Sequence, residues 1–168
     1  SIATATVITQ APVCAVDVTS ADFAGGTTGS TTYISETADG EVILQPAAGA
    51  EFTGATLPAG WSSGTWAVGG TATVGGGLLT VDGAHASTTA SFGPGRSLEF
   101  IATFQAANYQ NVGFAADGLF TAPWVTIGEG ASTGGVYARR DDGADVLLSA
   151  TALGSPHRYR IDWNASTF

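Results

Sequence analysis

The chain contains no lysine, no methionine and one cysteine, Cys14; its only strong cations are Arg96, Arg139, Arg140, Arg158 and Arg160, against 14 acidic residues. The net charge of -9 argues against nucleic acid as a partner, because an acidic surface repels phosphates. A lone cysteine excludes an internal disulfide and leaves Cys14 as a buried small hydrophobe or as the partner of a cysteine in another chain. The buried reading is favoured, since free cysteines are among the most buried residue types. Long apolar runs are also missing: residues 42–44 and 146–148 are strand-sized, far short of the roughly 20 residues that cross a bilayer as a helix. No membrane span is expected. Charged residues make up 11 % of the chain and hydrophobic ones 44 %, a balance unlike that of disordered segments, which are highly charged and poor in aromatics.

Helix signals are scarce. No window sustains apolar residues at i, i+3, i+4 and i+7, and Gly, Thr, Ser and Val, all weak in helix interiors, saturate the sequence. What remains is a series of short strands at 5–8, 32–35, 41–44, 66–68, 71–74, 78–81, 87–92, 97–104, 111–115, 124–127, 136–140, 144–149 and 157–163. Between them lie Asp-Gly turns at Asp39-Gly40, Asp82-Gly83, Asp117-Gly118 and Asp142-Gly143. That spacing is the pattern of an all-β sandwich or barrel. In 97–104, Leu98, Phe100, Ala102 and Phe104 share one face; in 157–163, Tyr159, Ile161 and Trp163 alternate with Arg158, Arg160 and Asp162. Such strict period-2 alternation predicts antiparallel sheets with one apolar and one wetter face. Residues 136–149 read as a hairpin around Asp141-Asp142-Gly143.

With 168 residues the chain is long enough for one core without disulfides. An Ala/Pro/Gly stretch at 45–49 divides a Thr-rich segment, 1–48, read as added strands, from an aromatic-bearing segment, 49–168, that carries the main fold. A sequence opening on Ser1 fits a mature protein freed of a signal peptide and equally a chosen fragment, so an extracellular or cell-surface location is an inference.

Three stretches carry a resemblance. Glu51-Phe52, then Leu57-Pro58-Ala59-Gly60-Trp61, then Gly75-Gly76-Gly77-Leu78-Leu79-Thr80-Val81-Asp82-Gly83 are similar to the opening of concanavalin A-like lectin/glucanase domains, a superfamily of laminin G-like, jelly-roll sandwiches. His157, Tyr159 and Trp163 match the His-x-Tyr-x-x-x-Trp strand found there, its laminarinase-like glycoside hydrolases included. Together the matches bracket residues 51–163. They imply an antiparallel β-sandwich of concanavalin A-like jelly-roll type and a role facing a glycan or cell-surface polysaccharide. Two departures qualify this. The strands that usually follow the aromatic strand are absent before Phe168, so the resemblance implies completion by further residues, completion by a strand from a neighbouring copy or second chain, or a fold that closes differently here; an open edge invites pairing with another chain. The Glu-x-Asp-x-x-Glu motif of the hydrolases is also missing, and with it the paired carboxylates that retaining hydrolysis requires. No catalytic residue is therefore assigned.

The expected function is a non-catalytic carbohydrate-binding or adhesive module. The competing expectation is a structural subunit of an extracellular filament or surface assembly, with the alternating residues 2–9 as a donor strand. Trp61, Trp66, Trp124, Trp163, Tyr33, Tyr109 and Tyr137 are the aromatics available to stack on sugar rings. Trp163 is in phase with a core face, whereas Trp124 and Tyr109 lie beside loop-like residues and are the ligand-binding candidates. Asp141, Asp142 and Asp145 supply oxygens of the kind calcium takes, although Asp-Asp-Gly is also ordinary hairpin-turn chemistry, which is the favoured reading. His85 and His157 lack the neighbours of a zinc site, and no other cofactor is expected. Asn164-Ala165-Ser166 matches the N-glycosylation triplet.

Overall fold

Thr19 and Asp22 form a capping box at the start of a single helical turn, α1 (Ser20–Ala24): the Asp22 N–H donates to Thr19 Oγ1 at 3.1 Å while Asp22 Oδ2 accepts from the Thr19 N–H at 3.1 Å. These bonds satisfy backbone donors that a helix start leaves orphaned. The Thr19 hydroxyl and the Val18 and Thr19 amides also hold the Asp22 carboxyl below its usual value. The computed structural model that shows this describes residues 16–117, 120–130, 134–143 and 145–164. Cys14, the strand expected at 5–8, the donor segment 2–9 and the end of the glycosylation triplet lie outside those residues.

The chain divides into two compact units, Ser1–Gly49 and Ala50–Phe168. In the first, α1 is followed by an antiparallel hairpin of β1 (Thr32–Ser35) and β2 (Glu41–Leu44), with a 3-10 turn at Thr37–Asp39 between them. The helical turn corrects the expectation of added strands alone; its signal was the local Thr-x-x-Asp capping pattern rather than any apolar periodicity.

Among its described residues the second unit contains ten strands, all pairing antiparallel. They are β3 (Trp61–Thr65), β4 (Thr71–Gly75), β5 (Leu78–Asp82), β6 (Ala84–Thr88), β7 (Arg96–Ala102), β8 (Asn111–Ala115), β9 (Trp124–Gly128), β10 (Val136–Arg140), β11 (Asp145–Ser149) and β12 (His157–Trp163). They form a four-stranded sheet in the order β11-β10-β9-β8 and three two-stranded ladders, β12-β7, β3-β6 and β4-β5. The protein is all-β with antiparallel sheets. The β4–β5 turn shows sequence dictating geometry: Gly75 pairs with Leu78, and Gly76 and Gly77 between them have φ of 61° and 78°. A two-residue hairpin loop with positive φ at both positions suits glycine above other residues.

Several strand expectations shift: β3 lies where no strand is expected, and the strand expected at 97–104 runs from Arg96 to Ala102. Residues 66–68 are not a strand; β3 ends at Thr65, and the Trp66 and Ala67 N–H groups both donate to the Gly83 carbonyl at 2.8 and 3.0 Å, turning the chain. The strand expected at 87–92 begins at Ala84, because β3 sets its register from Thr65↔Ala84 to Trp61↔Thr88.

The core lies between the apolar faces of the four-stranded sheet and the β7–β12 ladder. Phe104, Val125, Ile127, Val136, Ala152 and Ile161 are buried there, with Phe100, Ala102, Val112, Phe114, Leu153 and Tyr159 packed against them. Tyr159 stacks on Phe100 at 5.5 Å and meets Phe104 edge-on at 5.4 Å, while Trp163 reaches Phe114 of β8 at 5.3 Å. The period-2 alternation in β7 and β12 therefore faces the way the sequence indicates: Leu98, Phe100 and Ala102 turn inward, while Ser97, Glu99 and Ile101 turn out. Burial without a partner for its hydroxyl pushes the Tyr159 phenol above its usual pKa.

Candidate functional site

Register decides what the outer face of the four-stranded sheet carries. Val125 and Ile127 of β9 point into the core, so Trp124 and Thr126 point to the other side. Cross-strand pairing puts Asn111 of β8 opposite Gly128, and Arg139 of β10 opposite Thr126. Partners in an antiparallel ladder share a face. Asn111, Trp124, Thr126 and Arg139 are thus gathered on the face turned away from the core, and Asp145 joins them through its pairing with Arg139.

A cleft of about 410 Å³ opens on this face, lined by Trp66, Tyr109, Asn111, Phe120, Trp124 and Arg139. Its volume lies within the roughly 300–1,000 Å³ typical of small-ligand sites. Its walls are aromatic. Phe120 meets Trp124 edge-on at 5.6 Å and Trp66 at 6.0 Å, and Trp66 in turn packs on His85 of β6 at 5.4 Å. Beside them the Arg139 guanidinium sits 5.9 Å from the Trp124 ring centre, within cation–π range.

The cleft's polar groups form one connected set. Asn111 Oδ1 accepts from Thr126 Oγ1 and from Arg139 Nη1, each at 3.2 Å, and Arg139 Nε donates to Asp145 Oδ2 at 3.2 Å. Thr126 is only 2 % exposed, so its hydroxyl needs this partner. Gly130 completes the arrangement: a Cβ there would crowd the Arg139 guanidinium at 3.3 Å. The chain keeps this residue against β8, since the Tyr109 N–H donates to the Gly130 carbonyl at 3.2 Å.

Two of the aromatic walls stand on a strained backbone. Tyr109 and Phe120 have φ of 64° and 60°, the left-handed region that bulky side chains rarely adopt. Each costs on the order of 1–3 kcal/mol, and such outliers persist where surrounding structure enforces them, commonly at ligand clamps.

The two ligand-binding candidates named from sequence, Trp124 and Tyr109, line this one cleft. Of the other aromatics, Trp66 joins them, Trp61 packs edge-on against Phe52 at 5.3 Å, and Trp163 packs on Phe114. Phe120, Asn111 and Arg139 escaped sequence reading. A faint signal existed in β8, where Asn111, Gly113 and Ala115 alternate with Val112 and Phe114, an apolar face opposite a small or polar one.

The three aspartates sit on the β10–β11 hairpin. Asp142 pairs with Arg140 at 2.6 Å, Asp145 pairs with Arg139, and the turn closes through the Gly143 N–H to the Arg140 carbonyl at 3.1 Å. Among the described residues no three His, Cys, Asp or Glu side chains converge as a metal site. One acidic residue is fully buried: Glu129, whose Oε1 accepts from the Gly134 N–H at 3.0 Å and whose Oε2 has no hydrogen-bond partner among the described residues. Glu99 faces outward and pairs with Arg158 at 3.1 Å.

No protein-family model, curated protein or solved structure matches the chain.

Proposed function

We propose that the chain is an extracellular, non-catalytic carbohydrate-binding or adhesive module, its main unit an antiparallel β-sandwich of concanavalin A-like jelly-roll type. The observation that carries this reading is the aromatic cleft. Trp66, Phe120 and Trp124 present flat apolar faces of the kind that cover the C–H face of a pyranose, and Asn111 and Arg139 stand beside them to meet hydroxyl or carbonyl oxygens. Strain at both Tyr109 and Phe120 supports a site shaped for contact rather than for stability. Packing of the four-stranded sheet and the β7–β12 ladder around one apolar cluster supports the sandwich part of the reading. A glycan array tests the proposal: binding by the folded protein that disappears in Trp124→Ala is the expected result, and silence across all glycans overturns it.

A second reading, a subunit of an extracellular assembly joined by strand exchange, draws on β11. This strand ends the four-stranded sheet, and its consecutive Val146, Leu147 and Leu148 are 59 %, 51 % and 49 % exposed. An apolar edge strand offers unpaired backbone groups to another chain. A neighbouring copy supplying residues 2–9 is the proposed donor. Light scattering decides it, since a monomer whose size is indifferent to deletion of residues 1–10 rules this reading out.

A further inference from the structure

We infer that Gln110 is a positioning residue: its side-chain amide presets the loop that carries Tyr109, so that this aromatic stands at the cleft before a ligand arrives. The inference deepens the carbohydrate-binding reading and rests on it for the identity of the ligand. The loop, residues 105–110, joins the buried Phe104 to the start of β8. Gln110 Oε1 accepts from the Gln105 N–H at 2.8 Å, and its Nε2 donates to the Gln105 carbonyl at 2.8 Å and also to the Ala107 carbonyl. The two ends of the amide thus meet the N–H and the carbonyl of one residue, as a paired strand would, and this fixes which end is oxygen.

Both ends of the loop are anchored in the fold. The Phe104 carbonyl accepts from the Gly154 N–H at 2.8 Å, the Gln110 carbonyl accepts from the Glu129 N–H at 2.8 Å, and Asn111 pairs with Gly128 of β9. Between these anchors Tyr109 has little of its own to hold it. Its N–H donates to the Gly130 carbonyl at 3.2 Å, but its side chain is 63 % exposed and its φ is 64°. A left-handed tyrosine persists where neighbouring structure enforces it. The adjacent Gln110 amide, bonded three times to the backbone of the same loop, supplies that restraint. Restraint matters at a contact residue, because a side chain already in its bound place spares the entropy of immobilising it. For one side chain that saving corresponds to roughly two- to tenfold in affinity.

Gln110→Met keeps the length of the side chain and removes all three bonds. Backbone 15N relaxation of the ligand-free protein reads the loop directly. Wild-type Tyr109 is expected to have an order parameter near about 0.85, and Tyr109 in Gln110→Met one below about 0.6, with Val112 and Ile127 rigid in both. A Tyr109 amide that stays rigid in the variant, or is already mobile in the wild type, overturns the inference. Binding is read on the immobilised-glycan array as the protein concentration at half-saturation. Gln110→Met is expected to raise that concentration about two- to tenfold when Tyr109 is present and to leave it unchanged in a Tyr109→Ala background. Equal losses in the two backgrounds also defeat the inference, since Gln110 then acts through the fold at large and not through Tyr109. Should Gln110→Met fail to fold, Gln110→Glu, which keeps the acceptor for the Gln105 N–H and loses both donors, is read in the same way. A wild type silent on every glycan sinks the carbohydrate reading, while the relaxation data still decide the role of Gln110.

Discussion

Arg139 lies with its guanidinium carbon 5.9 Å from the ring centre of Trp124 while its Nε is held 3.2 Å from Asp145. One side chain thus joins the aromatic and polar halves of the cleft. Its fork geometry matters: Nε serves Asp145, Nη1 serves Asn111, and the flat guanidinium serves the indole. Lysine offers a point charge without that planar fork. Arg139→Lys is expected to behave like Arg139→Ala in ligand titrations, with both losing most of the wild-type affinity. Denaturant unfolding should show a modest loss of about 1–2 kcal/mol, because Asn111 Oδ1 and the Asp145 carboxylate each lose a donor. A lysine variant with wild-type affinity would show that charge alone suffices.

The left-handed backbone of Tyr109 separates binding from stability. At 63 % exposed, this side chain has little packing to lose, so relief of strain should dominate when it is replaced by asparagine, which tolerates φ > 0. Tyr109→Asn is expected to raise stability by about 1 kcal/mol while weakening ligand binding, read from paired melting and calorimetric titrations. Phe120 shares the conformation but packs against both Trp66 and Trp124. Phe120→Asn should show no such gain, because lost ring contacts offset the relieved strain.

Much of the fold is legible because period-2 alternation is a one-dimensional signal of burial. The bounds of β1, β2, β8, β10 and β12 coincide with the sequence reading, and in β7 and β12 the inward faces do too. Errors arose where a partner strand rather than local pattern sets the boundary. β6 starts at Ala84 because β3 pairs it there, and Trp66 leaves the sheet because the Gly83 carbonyl captures its N–H. The cleft was half visible. Trp124 and Tyr109 stand out as aromatics beside loop residues, but Asn111 and Arg139 join them only through the register of β8, β9 and β10, and register depends on pairing that no single strand encodes. The fully buried Glu129 was visible only as an isolated acid.

The opposite faces of the β7–β12 ladder make a contrast in core energetics. Ile161 is 6 % exposed and belongs to the core, whereas Ile101, on the partner strand, is 49 % exposed and points outward. Truncating the first removes buried methylenes and leaves a cavity; truncating the second removes surface that water already covers. Ile161→Ala should cost about 2–5 kcal/mol and Ile101→Ala no more than about 0.5 kcal/mol by urea unfolding. Similar costs for the two would mean that the outer face of this ladder is covered in solution.

On that same outer face, Asp162 accepts from Arg160 Nε at 2.9 Å and from Ser97 Oγ at 2.5 Å. The Arg160 hydrogen bond, then the Ser97 hydroxyl, hold its carboxyl below the usual aspartate value on this exposed face. A depressed carboxylate binds its proton less readily when folded than when unfolded, so the unfolded chain takes up the proton first as pH falls. The stabilisation is complete above the ordinary aspartate pKa of about 3.9 and is lost as pH drops through the lower folded value. Asp162→Asn keeps the shape but not the charge. The melting temperature of the wild type should exceed that of the variant at neutral pH, and the gap should close on acidification below that value. Because the groups are exposed, the gap should be small and should shrink further in about 1 M salt, where charges are screened within roughly 3 Å. A gap that is constant from neutral pH to well below 3 would assign the effect of the substitution to hydrogen bonding alone and not to the charge of Asp162.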